Sequence, residues 1–229
     1  TQEFVSVKDG QWSSPSTWNK SVAPKAYDNV RIEHQVSITT PADAFSLTMA
    51  QGASLNITST GGLNIHAGGY TTNNTSADIT LDYLQSGSAY LRISPEWKGA
   101  RPQVKVRYQT RSTLDTGANK DATWQYIGAP GANCQFTVDY ITWLYQWSEP
   151  QNWLQQSGTL TLSPFAGYAI TQYGQPTYEL MAEAITADRT ITLTKTPSGM
   201  KGDNLFANSY MAPIDAKNFT PEDFSDYGT

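Results

Sequence analysis

Three short segments, Ser46-Leu47-Thr48-Met49, Ser54-Leu55-Asn56-Ile57 and Gly62-Leu63-Asn64-Ile65, decide how this chain is read. The apolar pairs Leu47/Met49, Leu55/Ile57 and Leu63/Ile65 recur every eight residues, and the last two are the same triplet, Leu-Asn-Ile. A step of two within each pair puts both side chains on one face of a strand, while Asn56 and Asn64 point the other way. Gly52, Gly61 and Gly62 mark the corners. Short strands at a fixed period are the pattern of a β-solenoid or β-roll, in which successive strands bury their inner faces together, and three of them make one coil. An ordinary meander with the same spacing is the alternative.

Outward from these segments, alternation with a period of two recurs and helical periodicity is nearly absent. Val104, Val106 and Tyr108 alternate with Lys105, Arg107 and Gln109, and Ile191 and Leu193 alternate with Thr190, Thr192 and Thr194. Further strands are expected around Ile79-Leu81-Tyr83, Leu91-Ile93, Ile141-Trp143-Tyr145-Trp147, Leu160-Leu162 and Tyr178-Leu180. The one helix-like candidate is Pro221 to Phe224. The fold expectation is therefore all-β: a short capped β-solenoid followed by an antiparallel β-sandwich. A polar stretch from Thr71 to Ser76 suggests the boundary, giving a solenoid-like module over residues 1–75 and a sandwich module over 76–229.

Composition narrows the function classes. The 229 residues carry 15 Lys+Arg against 20 Asp+Glu, a net charge of -5, and only 15% charged residues against an average of about 25%. Without a basic cluster, nucleic acid is not an expected partner, because its phosphates must be met by cations. Aromatic residues reach 12%, so rings supply much of the apolar material and a disordered chain is excluded. The single Cys134 rules out an internal disulfide. No stretch approaches the roughly 18 apolar residues of a membrane helix, and no basic region followed by a hydrophobic run opens the chain. An export signal is read as absent or already removed.

A resemblance is carried by named residues. Gly10-Gln-Trp12-Ser-Ser-Pro-Ser-Thr-Trp18, Val22-Ala-Pro24, Asp28-Asn29-Val30-Arg-Ile32 and Gly52-Ala-Ser-Leu-Asn-Ile57 follow one another in the first quarter of the chain. Trp124-Gln-Tyr-Ile-Gly128-Ala-Pro130, Gly167-Tyr168-Ala-Ile170 and Leu205-Phe-Ala-Asn208-Ser-Tyr210-Met-Ala-Pro213-Ile-Asp215 lie in the second half. Together they resemble modular cell-surface and secreted β proteins of the Bacteroidota, a solenoid-like opening module followed by a β-sandwich. The resemblance implies export to the cell surface or medium and a scaffold without a catalytic signature. In similar proteins more strands follow the segment resembling Leu205 to Asp215. The expectation is thus either a fragment or a sandwich completed by another molecule, with self-association through an open sheet edge or strand donation.

Chemistry-bearing patterns are sparse. His34 and His66 have no metal-ligand spacing, no Asp-x-Asp-x-Asp-Gly loop is present, and neither metal nor cofactor is expected. The candidate catalytic carboxylates are Glu96, Glu149, Glu179 and Glu183, and further acidic groups stand at Asp78, Asp82, Asp115 and Asp121 and in the tail Asp215, Glu222, Asp223 and Asp226. A glycosidase needs two such groups facing each other across a cleft, and nothing around these residues singles out a pair. No Gly-x-Ser-x-Gly elbow or phosphate loop occurs, and an enzyme is not expected.

The densest feature is the aromatic run Trp124, Tyr126, Phe136, Tyr140, Trp143, Tyr145, Trp147 and Trp153. Trp143, Tyr145 and Trp147 alternate onto one strand face. Two readings compete: rings inward, with Leu144, Gln146 and Ser148 turned outward, or rings exposed as a platform that stacks on sugars. The chain is accordingly read as a non-catalytic, exported structural or adhesin-like protein with a capacity for polymer formation. The alternative is a carbohydrate-binding module using Trp143, Tyr145 and Trp147, with glycans or a host surface as partner.

Overall fold

The computed structural model describes residues 3–72, 78–97, 99–114, 122–174, 176–197, 202–220 and 223. Among them the chain forms eighteen strands and two short 3-10 turns. The first eleven strands are β1 (Phe4–Val5), β2 (Gly10–Gln11), β3 (Asn29–Ile32), β4 (Gln35–Ile38), β5 (Pro41–Met49), β6 (Ser54–Ile57), β7 (Gly62–Thr72), β8 (Ile79–Leu84), β9 (Gly87–Ser88), β10 (Tyr90–Ile93) and β11 (Gln103–Gln109). Then follow β12 (Gln125–Ile127), β13 (Cys134–Val138), β14 (Thr142–Ser148), β15 (Asn152–Gln156), β16 (Gly158–Leu162), β17 (Tyr168–Gln172) and β18 (Thr177–Glu183).

The early strands are dealt alternately into two sheets. One runs β1-β3-β5-β7-β10 and is parallel throughout. The other runs β2-β4-β6-β8-β11, also parallel, and is closed by β18 lying antiparallel to β11, with β9 attached to β8. A register shift between Ala44 and Ser46 divides β5: Pro41–Ala44 pairs with Gly62–Ile65, and Ser46–Met49 with Gly69–Thr72. The inward side chains therefore pile into three stacks. Val30/Ile32 lies beside Leu47/Met49; Ala42/Ala44 beside Leu63/Ile65 and Leu91/Ile93; Val36/Ile38 beside Leu55/Ile57, Ile79/Leu81 and Val104/Val106. All of these residues are buried. The three segments that opened the sequence reading, spaced eight residues apart, thus fall one into each stack.

Local chemistry holds the winding in place. Asp78, buried at the entry to β8, accepts hydrogen bonds from the Tyr70 hydroxyl and the Thr72 hydroxyl, each at 2.7 Å, and its carbonyl receives the Leu55 amide. Gly69 adopts φ +73°, and a Cβ there would lie 2.0 Å from the Trp97 ring, so this position requires glycine on two counts. At the β1/β2 end, Trp12 and Trp18 are buried edge to face, 5.1 Å between centroids, and the Trp18 indole donates to the Trp12 carbonyl at 2.7 Å.

The second half is antiparallel. A four-stranded sheet runs β12-β17-β14-β15, and β13 pairs with β16. Its buried residues, among them Ile127, Cys134, Phe136, Leu144, Leu162, Tyr168 and Ile170, belong to the same contiguous core as the parallel strands. The halves also meet through backbone: the Leu91 amide donates to Met211, and the Ala184 amide to Pro102.

The alternating segment Thr190 to Thr194 is exposed and lies outside any strand; its amide at Thr194 is held by the Asn204 side chain at 3.0 Å instead of by a ladder. Period-two alternation signals a strand only where a neighbouring backbone is available to pair. Parallel pairing continues through β11, beyond the polar stretch Thr71 to Ser76, of which residues 73–76 lie outside the described residues. Of the helix-like candidate Pro221 to Phe224, only Asp223 is described.

Candidate functional site: the aromatic face of the four-stranded sheet

β14 has two unlike faces. Leu144 is fully buried beside Ile170 and, with Ile127 and Tyr168, joins the core. Trp143, Tyr145 and Trp147 point to the opposite side and are only partly buried. The structure therefore corrects the reading that turned these rings inward. The core contact of β14 is made by Thr142 and Leu144, while Gln146 and Ser148 run on past its margin, half-exposed.

The other strands extend the ring face. Tyr126 of β12 and Tyr145 of β14 both lie opposite Ala169 of β17, and Trp147 lies opposite Trp153 of β15. Small β17 residues, Ala169 and Thr171, form a floor over which the larger rings lean, and both are buried beneath them. The Thr171 hydroxyl has no hydrogen-bond partner there. Ring pairs tie the face together: Trp124 to Tyr145 at 5.5 Å, Trp143 to Tyr173 at 5.1 Å and Trp147 to Trp153 at 5.0 Å, all edge to face, while Tyr126 stacks on Trp153 at 6.0 Å with planes 11° apart. Tyr126 is 67% exposed and Trp124 48%. Trp147 donates its indole N–H to the Asp203 carbonyl at 2.8 Å. The remaining members of the aromatic run divide: Phe136 is in the core against Tyr178, whereas Tyr140 is 90% exposed on the turn before β14.

The sheet that carries these rings is electrically silent. β12, β14, β15 and β17 contain no Asp, Glu, Lys or Arg. The sequence pointed to Trp143, Tyr145 and Trp147 but not to Trp153, Tyr173 or Ala169 as members of one surface, because cross-strand register is what brings them together.

The other chemistry-bearing residues are engaged elsewhere. Buried Glu149 accepts from the Thr196 amide at 3.2 Å, the Thr196 hydroxyl at 2.9 Å and the Gly202 amide at 3.0 Å, which makes it a clamp on the loop before β-bridge residue Phe206. Asp78 and Asp82 are buried and paired, Asp82 bidentately with Arg107 at 2.7 Å. Glu179 meets Lys105 at 3.4 Å, Glu183 accepts from Asn133, and Glu96 is exposed. His34 contacts Ser6, and His66, exposed within β7, contacts Asp43 at 3.2 Å. Asp215 and Asp223 hold backbone amides of their own turns, while Asp115, Asp121, Glu222 and Asp226 lie outside the described residues. No three His, Cys, Asp or Glu residues gather as metal ligands among the described residues. Burial pushes the Cys134 thiol up to about 12, leaving it protonated and unreactive.

Two recesses lie away from the ring face. One of about 240 Å³ borders Trp12, Lys25, Thr39 and Asp43, and one of about 310 Å³ borders Phe165, Ile191, Leu193 and Phe206. No helix among the described residues is long and apolar enough to cross a membrane. Comparison of the chain with protein-family models, curated proteins and solved structures finds no match.

Proposed function

We propose that this chain is a non-catalytic, exported adhesive module, in which a short β-solenoid acts as a stiff spacer and the ring-bearing sheet as the contact surface for carbohydrate. The observation that carries the reading is the outward position of Trp143, Tyr145, Trp147 and Trp153 on a sheet whose core is supplied by the opposite face. A contiguous apolar surface of this kind is unusual on a soluble domain unless something covers it. Aromatic rings offer apolar faces to sugar C–H groups and leave hydroxyls to water or to side-chain amides.

The three parallel stacks support the spacer role. Continuous backbone ladders with buried aliphatics resist bending, and the outer rows, such as Thr48 with Thr71 at 2.9 Å and Asn64 with Asp43 at 3.2 Å, are polar. The antiparallel second half is read as a β-sandwich built onto the end of this spacer, and the arrangement fits the surface proteins of the Bacteroidota that the sequence resembles. The test is electrophoresis of the folded protein through gels containing soluble polysaccharides. Retardation by at least one of them is expected, and unchanged mobility across a broad panel, with no retention on insoluble cellulose or chitin, would remove the reading.

A further inference from the structure

We infer that the ring face takes a single, soluble, uncharged glycan chain several sugars long. The inference rests on the glycan-binding reading above and specifies its ligand.

Charge decides against acidic polysaccharides. A carboxylate or sulfate brought against this sheet would lose water and gain no cation, since its four strands carry none. Neutral hydroxyls, by contrast, find partners. The indole N–H groups of Trp124, Trp143 and Trp153 make no hydrogen bond within the described residues, and the Gln155 amide, directly across from Tyr145, is exposed.

Extent decides against a monosaccharide. From Trp143 to Trp147 the strand advances about 14 Å, and four strands span a similar width. A single pyranose covers one ring pair, whereas a chain lies across several.

Ring orientation decides against a crystalline surface. Flat stacking needs coplanar rings, but three of the four ring pairs are edge to face, with planes 70° to 81° apart. The face is corrugated, and a flexible chain can follow relief that a crystal plane cannot. A protein partner is disfavoured by composition. Among the ring-face strand residues the only aliphatic is Ala169, and neither Met nor Arg is present, whereas protein interfaces combine aromatic residues with both.

The experiment is a tryptophan fluorescence and calorimetric titration of the whole chain with four probe classes. These are neutral soluble polysaccharides with their oligosaccharides, the constituent monosaccharides, anionic polymers such as alginate, and insoluble cellulose or chitin. The expected result is binding to a neutral soluble polymer, at least about tenfold tighter for its longer oligosaccharides than for the monosaccharide, and insensitive to added salt. Salt-sensitive binding to alginate, or retention on the crystalline solids alone, would overturn the neutral-chain inference while leaving glycan binding intact. No binding to any class would remove both. A Trp153→Ala variant with an unchanged urea midpoint and lost binding ties the signal to this face; retained binding would place the ligand elsewhere and overturn the assignment.

Discussion

Trp147 and Trp153 face each other as a cross-strand pair on β14 and β15, their rings edge to face at 5.0 Å, on the side of the sheet away from buried Leu144. The pair belongs to a surface, and its rings are therefore dispensable for folding in a way that Leu144 is not. Leu144→Ala is expected to cost about 2–5 kcal/mol, the loss of a buried side chain plus its cavity. Tyr145→Ala, one residue on, is expected to cost about 1 kcal/mol, the worth of its edge-to-face pair with Trp124 on the half-buried ring face. Urea unfolding of the two variants measures the difference, and equal costs would mean that both faces of β14 are core.

The ion pair between Asp82 and Arg107 should respond asymmetrically. The Asp82 side chain is 5% exposed and the Arg107 side chain 41%. Arg107→Ala strands a buried carboxylate and is expected to cost about 3 kcal/mol. Asp82→Ala leaves a guanidinium that reaches water and is expected to cost about 1 kcal/mol. Thermal or urea denaturation at neutral pH ranks them, and the reverse order would contradict the burial of Asp82.

Alkaline pH should weaken the fold. Burial raises the Cys134 thiol from an ordinary 9.0 to about 12 and the Tyr108 phenol from 10.0 to about 12. Tyr70 is raised by burial and by its hydrogen bond to Asp78, and Tyr83 by burial. In each case the folded state holds its proton more tightly than the unfolded chain does. The associated stability is complete below about pH 9 and falls as pH rises toward 12. Urea midpoints between neutral and strongly alkaline pH should show this decline, beginning later in Cys134→Ala. A profile flat to high pH would contradict the burial of these groups.

The Gly69 position offers a sharper probe of the parallel strands. Any side chain there meets the Trp97 ring and must adopt φ +73°. Gly69→Ala is expected to destabilise by about 1–3 kcal/mol through strain and displaced packing. Hydrogen exchange should show the loss concentrated in β5 and β7, and uniform loss across the chain would argue against a local cause.

Much of the strand pattern was legible because apolar pairs two residues apart need only local alternation to be recognised. Leu55/Ile57 and Leu63/Ile65 show this, both pairs being buried in separate stacks. Pairing partners were not legible, since they depend on chain segments far apart. Ile191 and Leu193 alternate as a strand would, yet among the described residues their segment joins no ladder, and the Thr194 amide is held by the Asn204 side chain instead. Side-chain direction on β14 was ambiguous for a different reason. Trp and Tyr serve equally in a core and on a surface, while Gln146 and Ser148 suggested the wrong outward face because the core ends before it reaches them. Glu149 shows the same limit: a carboxylate beside a strand end gives no local sign that it will be buried against Thr196 and Gly202.

The central claim is that the outward rings form a sugar-binding surface. The direct measurement compares the wild-type chain with the triple variant Trp143→Ala, Tyr145→Ala, Trp153→Ala by isothermal titration with a neutral soluble polysaccharide that the wild type binds. The account predicts a drop in affinity of at least about a hundredfold, roughly 2.7 kcal/mol, with secondary structure and the folded transition retained. Undiminished binding by a folded triple variant would contradict it.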